Sequence, residues 1–411
     1  MRGAAIIGVG MTSFGRHLDR THSELSQHAV AQALADAGAK ASDLGMAIYA
    51  NVIQGFFAGE MSIPGEYALR PMGIQGVRVL HVEAACASAT IALHVAVDYV
   101  RAGLADVALV VGVEKLYSQD RDKRFAVFQQ PLDALVAQAY LDATDGMLLP
   151  APEGLEGPGP NIMMQAYAAQ ARLHMATYGT TARQIAAVAA KNHVHSVANP
   201  LSQYRDPFTV DEVMAAPVVC WPLTVPMCAP ISDGAAAAVV CATDLLSRFP
   251  DARAVDVLTV ESQSGSDRTP NDYARHVTRL TAQRAYEAAG VGPDEIDVAE
   301  VHDASSFGEV VQTEALGLCA EGWGGSDAEK GETSIGGRIP VNPSGGLVSK
   351  GHPLGATGLG QIWELVTQLR GDAGARQVPG ARIALAENSG GFYGVEDGLS
   401  AITILRRSVS V

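Results

Sequence analysis

The stretch Val79 to Lys115, VLHVEAACASATIALHVAVDYVRAGLADVALVVGVEK, decides the fold class. It opens on a short apolar run, reaches Cys86 among small residues, and continues from Ser88 with Leu93, Val97 and Val100 on one helical face. Arg101-Ala102-Gly103 supplies a C-terminal stop, and Asp106 to Gly112 reads as a buried parallel strand. The result is a β-Cys-α-β unit with the thiol at the strand-to-helix turn. A helix N-terminus favours thiolate through its dipole and its free N–H groups. Ala85, Ala87 and Ala89 leave room for a bulky electrophile. An arbitrary cysteine is more often a buried structural residue, but this position and these small flanks turn the reading toward a nucleophile.

The same plan recurs along the chain. Thr21-His22-Ser23-Glu24 starts a helix that runs through Ala29, Ala33 and Ala37, stops at Gly38 and leads to the strand Ala47 to Ala50. Leu280 to Gly290, followed by Asp294 to Val301, repeats it at one constant offset: Ala33 matches Ala285, Ala37 matches Ala289, Gly38 matches Gly290 and Ala47 matches Ala299. These strands end at polar sites, Asn51 in the first copy and His302-Asp303 in the second. Gly345 to Gly358, GGLVSKGHPLGATG, precedes a helix from Leu359 to Leu369 and a strand from Arg382 to Ala386, mirroring Cys86 with its helix and strand.

The chain therefore reads as two copies of a β-α-β-α-β fold, one contributing Cys86 and the other His352, with the site at their junction. The expected division is an N-terminal half over 1–117 and 218–247, an insertion over 118–217, and a C-terminal half over 248–411. The insertion holds a Gly/Pro-rich run from Pro150 to Pro160 and helix patterns at Met163 to Tyr178 and Ala182 to Asn192, and is expected to shape a binding site or lid. The return runs through Pro226 to Ala235 into the strand Ala236 to Cys241.

Composition narrows the class. The 411 residues are 48% hydrophobic and 18% charged with 43 glycines, the profile of a soluble α/β enzyme with tight helix–strand connections. A net charge of −15 lacks the basic footprint that nucleic-acid binding needs. The N-terminal apolar run, Ala4 to Val9, reads as a first strand rather than a signal peptide, and no run has the length of a membrane span. Cys86, Cys220, Cys228, Cys241 and Cys319 show no CxxC spacing, which disfavours a disulfide framework and a zinc site and points to a reducing cytoplasm.

Cys86, the GHPLGATG segment at Gly351 to Gly358 and the CAPISDGA segment at Cys228 to Ala235 together resemble the thiolase superfamily over nearly the whole chain. Val301-His302-Asp303-Ala304-Ser305 is similar to the HDCF segment of the sterol-carrier-protein-x, lipid-transfer-like branch. The resemblance implies a five-layered αβαβα fold, an inserted loop domain that binds coenzyme A, and dimers or tetramers. It also implies acyl transfer through a cysteine, with a coenzyme A thioester as substrate and no bound cofactor. Some relatives of this branch work with a small OB-fold, zinc-ribbon protein. Two departures stand out. Many thiolases carry a second cysteine in a CxG segment, where Asn388 stands here in Glu387 to Gly391, and the HDCF cysteine is Ala304. Neither usual second thiol is present, so ordinary acetoacetyl-CoA thiolysis is not expected.

The residues then take these expected roles. Cys86 attacks the thioester carbonyl and His352 takes or shares its proton. His302 polarises the thioester oxygen with Asp303 orienting groups nearby, and Gly390 joins the Cys86 N–H in an oxyanion hole implied by the family. Asn388 occupies a substrate-facing position by the same resemblance, and Ser349 and Lys350 are expected near the pantetheine or phosphates of coenzyme A. His193 and His195, spaced i, i+2, point to different sides of a helix and form no metal pair, so they are expected at the surface or in a supporting role. No metal is expected, and Cys228 is expected to be structural. The expected function is an acyltransferase that forms acyl-Cys86 from an acyl-CoA and passes it to CoA or a specialised carbon acceptor. Two alternatives stand beside it. One is a retro-aldol carbon–carbon lyase on a CoA-bound side chain, against which the retained Cys86 argues. The other is a non-catalytic acyl-CoA or lipid-binding subunit, which the missing second thiol permits.

Overall fold

Helix α1 (His22–Ala37) shows how local sequence sets the elements of this computed structural model, which describes residues 2–59, 62–126, 131–155 and 162–408. Thr21 Oγ1 accepts from the Glu24 N–H at 3.2 Å while Glu24 Oε2 accepts from the Thr21 N–H at 2.7 Å, a reciprocal cap, and Gly38 ends the helix at φ 62°. In the second copy, α5 (Val277–Ala289) stops at Gly290 with φ 68°. The other elements that build the layers and the site are β1 (Ala4–Met11), β2 (Met46–Ala50), β3 (Arg78–Val82), α2 (Ser88–Arg101), β4 (Val107–Glu114), α3 (Ile162–Tyr178), α4 (Ala182–Ser196), β5 (Gly234–Ala242) and β6 (Val255–Ser264), then β7 (Val298–Glu300), α6 (Ser306–Ala315), α7 (Gly346–Lys350), α8 (Thr357–Arg370), β8 (Ile383–Tyr393) and β9 (Glu396–Arg407).

Among the described residues these nine strands form one mixed sheet in the order β3-β2-β4-β5-β1-β6-β9-β8-β7. β2 runs parallel to β3 and β4, and β7 runs parallel to β8, while β5 is antiparallel to both β4 and β1. Only two residue pairs, Ala5–Asp256 and Ile6–Val255, join the first five strands to the last four. The sheet bends there, and its two parts face each other across α2 and α8, which pack against strands of both.

Alternation along the strands builds the layers. Ile6, Val110, Ala236, Ala238 and Val240 face α2 and α8, in a core shared with Leu93, Val97, Leu359, Ile362, Leu365 and, from the other part of the sheet, Ala384 and Leu405. Their neighbours Ile7, Val111, Ala237 and Val239 face outward onto Leu25, Val30 and Ala33 of α1. Leu385, Ile402 and Ile404 face Ala282 and Ala285 of α5. The order α1, sheet, α2 with α8, sheet, α5 is the five-layered αβαβα arrangement. Gly8 and Gly10 let α1 sit directly on β1, since a Cβ at either would meet the Ala33 or Ala29 carbonyl oxygen at 2.2 Å. Burying each Leu, Ile or Val of the shared core contributes roughly 1.5–3 kcal/mol, so the two central helices tie the halves together.

Helices α3 and α4 of the insertion pack on α6 of the second half through Ala168, Ile185, Val188, Phe307 and Val310. Part of the Gly/Pro-rich run, residues 156–160, lies outside the described residues. No helix among the described residues is long and apolar enough to cross a membrane.

Candidate active site

Cys86 sits in a turn that is tied to itself and to the other half of the chain. After β3, Ala85 takes φ 49°, a left-handed conformation that costs a non-glycine residue about 1 kcal/mol or more. Ser88 Oγ accepts from the Ala84 N–H at 2.8 Å and donates to the Ala85 carbonyl at 2.7 Å, closing the turn before α2. Asn388 on β8 donates Nδ2 to the Cys86 carbonyl at 3.1 Å and to Thr90 Oγ1 at 3.2 Å. Asn388 is buried and does not line the cavity onto which Cys86 opens. The residue expected to face substrate thus fixes the Cys86 backbone across the junction.

The GHPLGATG segment reaches the same point by close approach. A Cβ at Gly351, whose φ is 114°, would meet Ser232 Oγ at 2.7 Å, and one at Gly355 would meet the Val113 carbonyl oxygen at 2.6 Å. Buried Glu114 at the end of β4 accepts from the N–H groups of Gly355 (3.0 Å), Val52 (3.0 Å) and Ile53 (3.1 Å) and from Asn51 Nδ2 (3.1 Å). These contacts bring one ring nitrogen each from His302 and His352 within 4.8 Å of each other and of the Cys86 sulfur. The imidazole centroids lie 5.3 Å apart at an interplanar angle of 60°.

The tautomer of His352 follows from its neighbours. Thr357 Oγ1 lies 3.0 Å from the Pro353 carbonyl, which can only accept; with the threonine proton on that bond, Oγ1 accepts from His352 Nδ1–H at 2.7 Å. Nε2 of His352 therefore carries a free lone pair. Like Nε2 of His302, it is buried without a hydrogen-bond partner among the described residues. The His302 backbone N–H is held by Glu387 Oε2 at 3.0 Å.

Burial governs the protonation of all three groups. It pushes the Cys86 thiol up to about 12; N–H groups of Gly391 and of Cys86 itself pull the other way, while Asp397 and Glu114 add to the rise. Burial lowers His302 to about 4, and burial together with neighbouring His302 and Lys350 holds His352 well below the ordinary imidazole range. The thiolate expected from the helix dipole is therefore not the resting state. Burial favours a neutral thiol beside neutral imidazoles.

Cys86 and His352 open onto a cavity of about 1250 Å³, also lined by Val52, Ile53, Leu116, Tyr167, Phe208, Val225 and Ala304. His302 does not line it and reaches the trio from behind. Ala304 presents its methyl where the HDCF thiol would stand, and Cys228, expected to be structural, forms part of the wall with its thiol directed to the Thr224 carbonyl at 3.5 Å.

Several expected contacts fall differently. Gly391, with φ 66°, lines the cavity and brings its N–H to the Cys86 sulfur, one residue beyond the Gly390 expected in that role. Gly390 instead packs under the Cys86 turn, where a Cβ would meet the Ala84 carbonyl oxygen at 2.4 Å. Ser349 is fully buried, bonded to Ser196 Oγ at 2.6 Å and to His193 Nδ1 at 3.2 Å, and Lys350 is buried on Glu300 Oε2 at 3.0 Å; neither lines the cavity, so neither takes the expected place on coenzyme A. Asp303 holds the start of α7 by accepting from the Leu347 N–H at 2.6 Å, and accepts from Asn192 Nδ2 at 2.9 Å; burial first, then Glu309, raises its pKa well above the carboxylate range. His193 and His195 do face opposite sides of α4, yet both are buried rather than at the surface. His193 lines the cavity against Tyr204, and His195 Nδ1 pairs with the Asn342 carbonyl at 3.0 Å. Thr357, Glu387, Gly391 and Tyr167 gave no signal beyond their place in turns or helix faces.

The thiolase N-terminal domain family model matches residues 4–219, and the thiolase C-terminal domain-like model matches residues 260–404. The chain is 36% identical over 399 residues to sterol carrier protein 2 of Rattus norvegicus, covering 94% of this chain and 69% of that protein. It is 37% identical over 399 residues to the acetyl-CoA acetyltransferase of Methanothermobacter thermautotrophicus, covering 96% and 98%. A solved Ltp2-ChsH2(DUF35) aldolase superposes with a TM-score of 0.79 at 26% identity, covering 100% of this chain and 99% of that one.

Proposed function

The chain belongs to the thiolase family and is an acyltransferase of that type, and we propose that it takes an acyl group from an acyl-CoA onto Cys86 and passes it to CoA or to a specialised carbon acceptor. The observation that carries this reading is the meeting of Cys86, His302 and His352 within 4.8 Å at a large, mostly apolar cavity. As the thioester carbonyl approaches, the Cys86 proton passes to the free lone pair of His352 Nε2 and the sulfur attacks. The developing oxyanion takes the N–H groups of Gly391 and Cys86, which already point to the sulfur. Collapse expels the CoA sulfur, which leaves with the proton from His352. His302, kept neutral by burial, supports this proton movement from behind.

With Ala304 and Asn388 at the two positions of a second thiol, the acceptor is one that needs no strong base, such as CoA itself or an already acidic carbon. Incubation with a panel of acyl-CoAs followed by intact-protein mass measurement tests the reading. One acyl adduct on the Cys86 peptide is expected, and its absence from folded enzyme across the panel would remove the acyl-cysteine step.

A second reading, retro-aldol cleavage of a CoA-bound side chain, draws on the aldolase similarity and on Tyr167 in the cavity wall, whose hydroxyl burial and nearby Asp397 and Cys86 keep protonated. Release of a free carbonyl product with no adduct on Cys86 distinguishes it. The assembled protein is further proposed to be a cytoplasmic homodimer or tetramer, since all five cysteines are free, and to accept a small DUF35-type partner like the one named in that aldolase.

A further inference from the structure

We propose that the unacylated site binds one zinc-class divalent ion through Cys86, His302 and His352, and that the bound ion blocks acylation. Coordination rests on the geometry alone; the block rests on the acyl-Cys86 reading. One donor atom from each residue lies within 4.8 Å of the other two. An ion at the centre of such a triangle is at most about 2.8 Å from every donor, against roughly 2.3 Å for a zinc–sulfur and 2.0–2.1 Å for a zinc–nitrogen bond. Each donor needs to move by less than about 1 Å, within the reach of small side-chain rotations.

The two imidazoles are also in the neutral state a metal requires, and the thiol gives up its proton on binding. Nε2 of both histidines is buried without a partner among the described residues. The His352 lone pair is fixed on Nε2 by its Nδ1–H bond to Thr357 Oγ1 at 2.7 Å, the orienting contact that metal-binding imidazoles use. His302 does not line the cavity, so its unused nitrogen faces the protein interior rather than open substrate space. Coordination forms a metal–sulfur bond and breaks the Cys86 S–H bond, releasing one proton to solvent; the imidazoles give lone pairs without change of protonation, and the fourth position faces the cavity. One thiolate and two imidazoles favour zinc or cobalt(II) and give nothing to magnesium or calcium, which need oxygen ligands. A metal-held thiolate shares its charge with the ion and is a much weaker nucleophile, and the coordinated His352 nitrogen has no lone pair left to take or hold a proton.

Cobalt(II) titration of the reduced, chelator-stripped full chain tests coordination without reference to activity. Tetrahedral d–d absorption with thiolate-to-cobalt charge transfer, saturating at one equivalent, is expected. Loss of the charge-transfer band in Cys86→Ser, displacement by zinc and indifference to magnesium are expected as well. No charge-transfer band, or one that survives in Cys86→Ser, overturns the proposal. His302→Gln, outside the cavity, is expected to weaken cobalt binding in a folded protein, and unchanged binding removes His302 from the set. Acyl-adduct formation measured with zinc present is expected to be lost and to return on chelation. Persistent acylation at saturating zinc overturns the block, whereas a cobalt spectrum in a protein that never acylates leaves the metal site standing and removes the function.

Discussion

The hydrogen bond between His352 Nδ1 and Thr357 Oγ1, 2.7 Å long, takes its direction from the threonine proton, which on the Pro353 carbonyl at 3.0 Å leaves Oγ1 to accept from the imidazole. One turn of the GHPLGATG segment therefore holds both the imidazole proposed to take the Cys86 proton and the group that sets its tautomer. Thr357→Val keeps the shape and removes this control, so acylation is expected to slow by about tenfold, against about 10²-fold or more for His352→Ala. Quenched-flow mass measurement of the adduct reads both. Equal rates for wild type and Thr357→Val, with unchanged melting, would show that the tautomer is set elsewhere.

The resting thiol is the second test. With Cys86 pushed up to about 12 by burial, its thiolate fraction grows in proportion to hydroxide throughout the neutral range. Alkylation of Cys86 by iodoacetamide is expected to rise about tenfold per pH unit from about pH 7 to 9 without levelling. A plateau near neutrality would reveal a preformed thiolate–imidazolium pair.

Which parts of this site were legible in the sequence follows from what each part depends on. Cys86 at a strand-to-helix turn, the stops at Gly38 and Gly290 and the Ala33–Ala285 repeat are written in local periodicity and turn chemistry, and the structure places each element there. The five layers came through the family resemblance and appear in the outward and inward alternation of Ile6 and Ile7. Local pattern says nothing of contacts between residues hundreds of positions apart. Neither the bond from Asn388 to the Cys86 carbonyl nor the cover of α4 over Ser349 has a local signature. The protonation of the thiol is hidden from the sequence for the same reason, since a helix dipole is local and desolvation is a property of the whole packed junction.

Asn388→Ala tests the tether. It leaves the buried Cys86 carbonyl and Thr90 hydroxyl without their Nδ2 donor, a loss of about 1–3 kcal/mol. Lower denaturant resistance and slower acylation are expected together, because the bond spans the two halves at the nucleophile. A change in stability with acylation untouched would make Asn388 a packing residue only.

Buried titratable groups set the pH range of stability. Burial raises Glu387 to about 8, Glu114 to about 7 and Asp397 to about 6, so the native state takes up protons there before the unfolded chain does. Stability is expected to rise as pH falls from about 8 toward about 6.5. Burial lowers His94, His195 and His276 to about 3 and His302 to about 4. Those groups charge first in the unfolded chain, so their contribution is lost as pH falls from about 6.5 toward 3. Below about pH 4.5 the unfolded carboxylates also bind protons, and the loss steepens. Melting curves across this range are expected to peak between about pH 6 and 7; a steady rise of stability to pH 9 would contradict the raised carboxylates.

The missing second thiol gives the sharpest test, because Ala304 lies in the cavity wall with its backbone already held. Its carbonyl accepts from the Ala229 N–H at 3.0 Å, and Ser305 caps α6 immediately after it. Ala304→Cys therefore adds one sulfur toward the cavity without disturbing the chain. In a full thiolase cycle such a thiol gives and takes the proton at the substrate carbon while Cys86 carries the acyl group. The variant is expected to acylate at the wild-type rate and to raise acetoacetyl-CoA thiolysis by about 10²-fold, the lower range for a positioned acid–base group. Asn388→Cys, at the other position of the second thiol, is expected to fail because it cuts the tether to Cys86. Strong thiolysis by the unaltered protein would show that another group, with Tyr167 first in line in the cavity wall, already does the work of the absent cysteine.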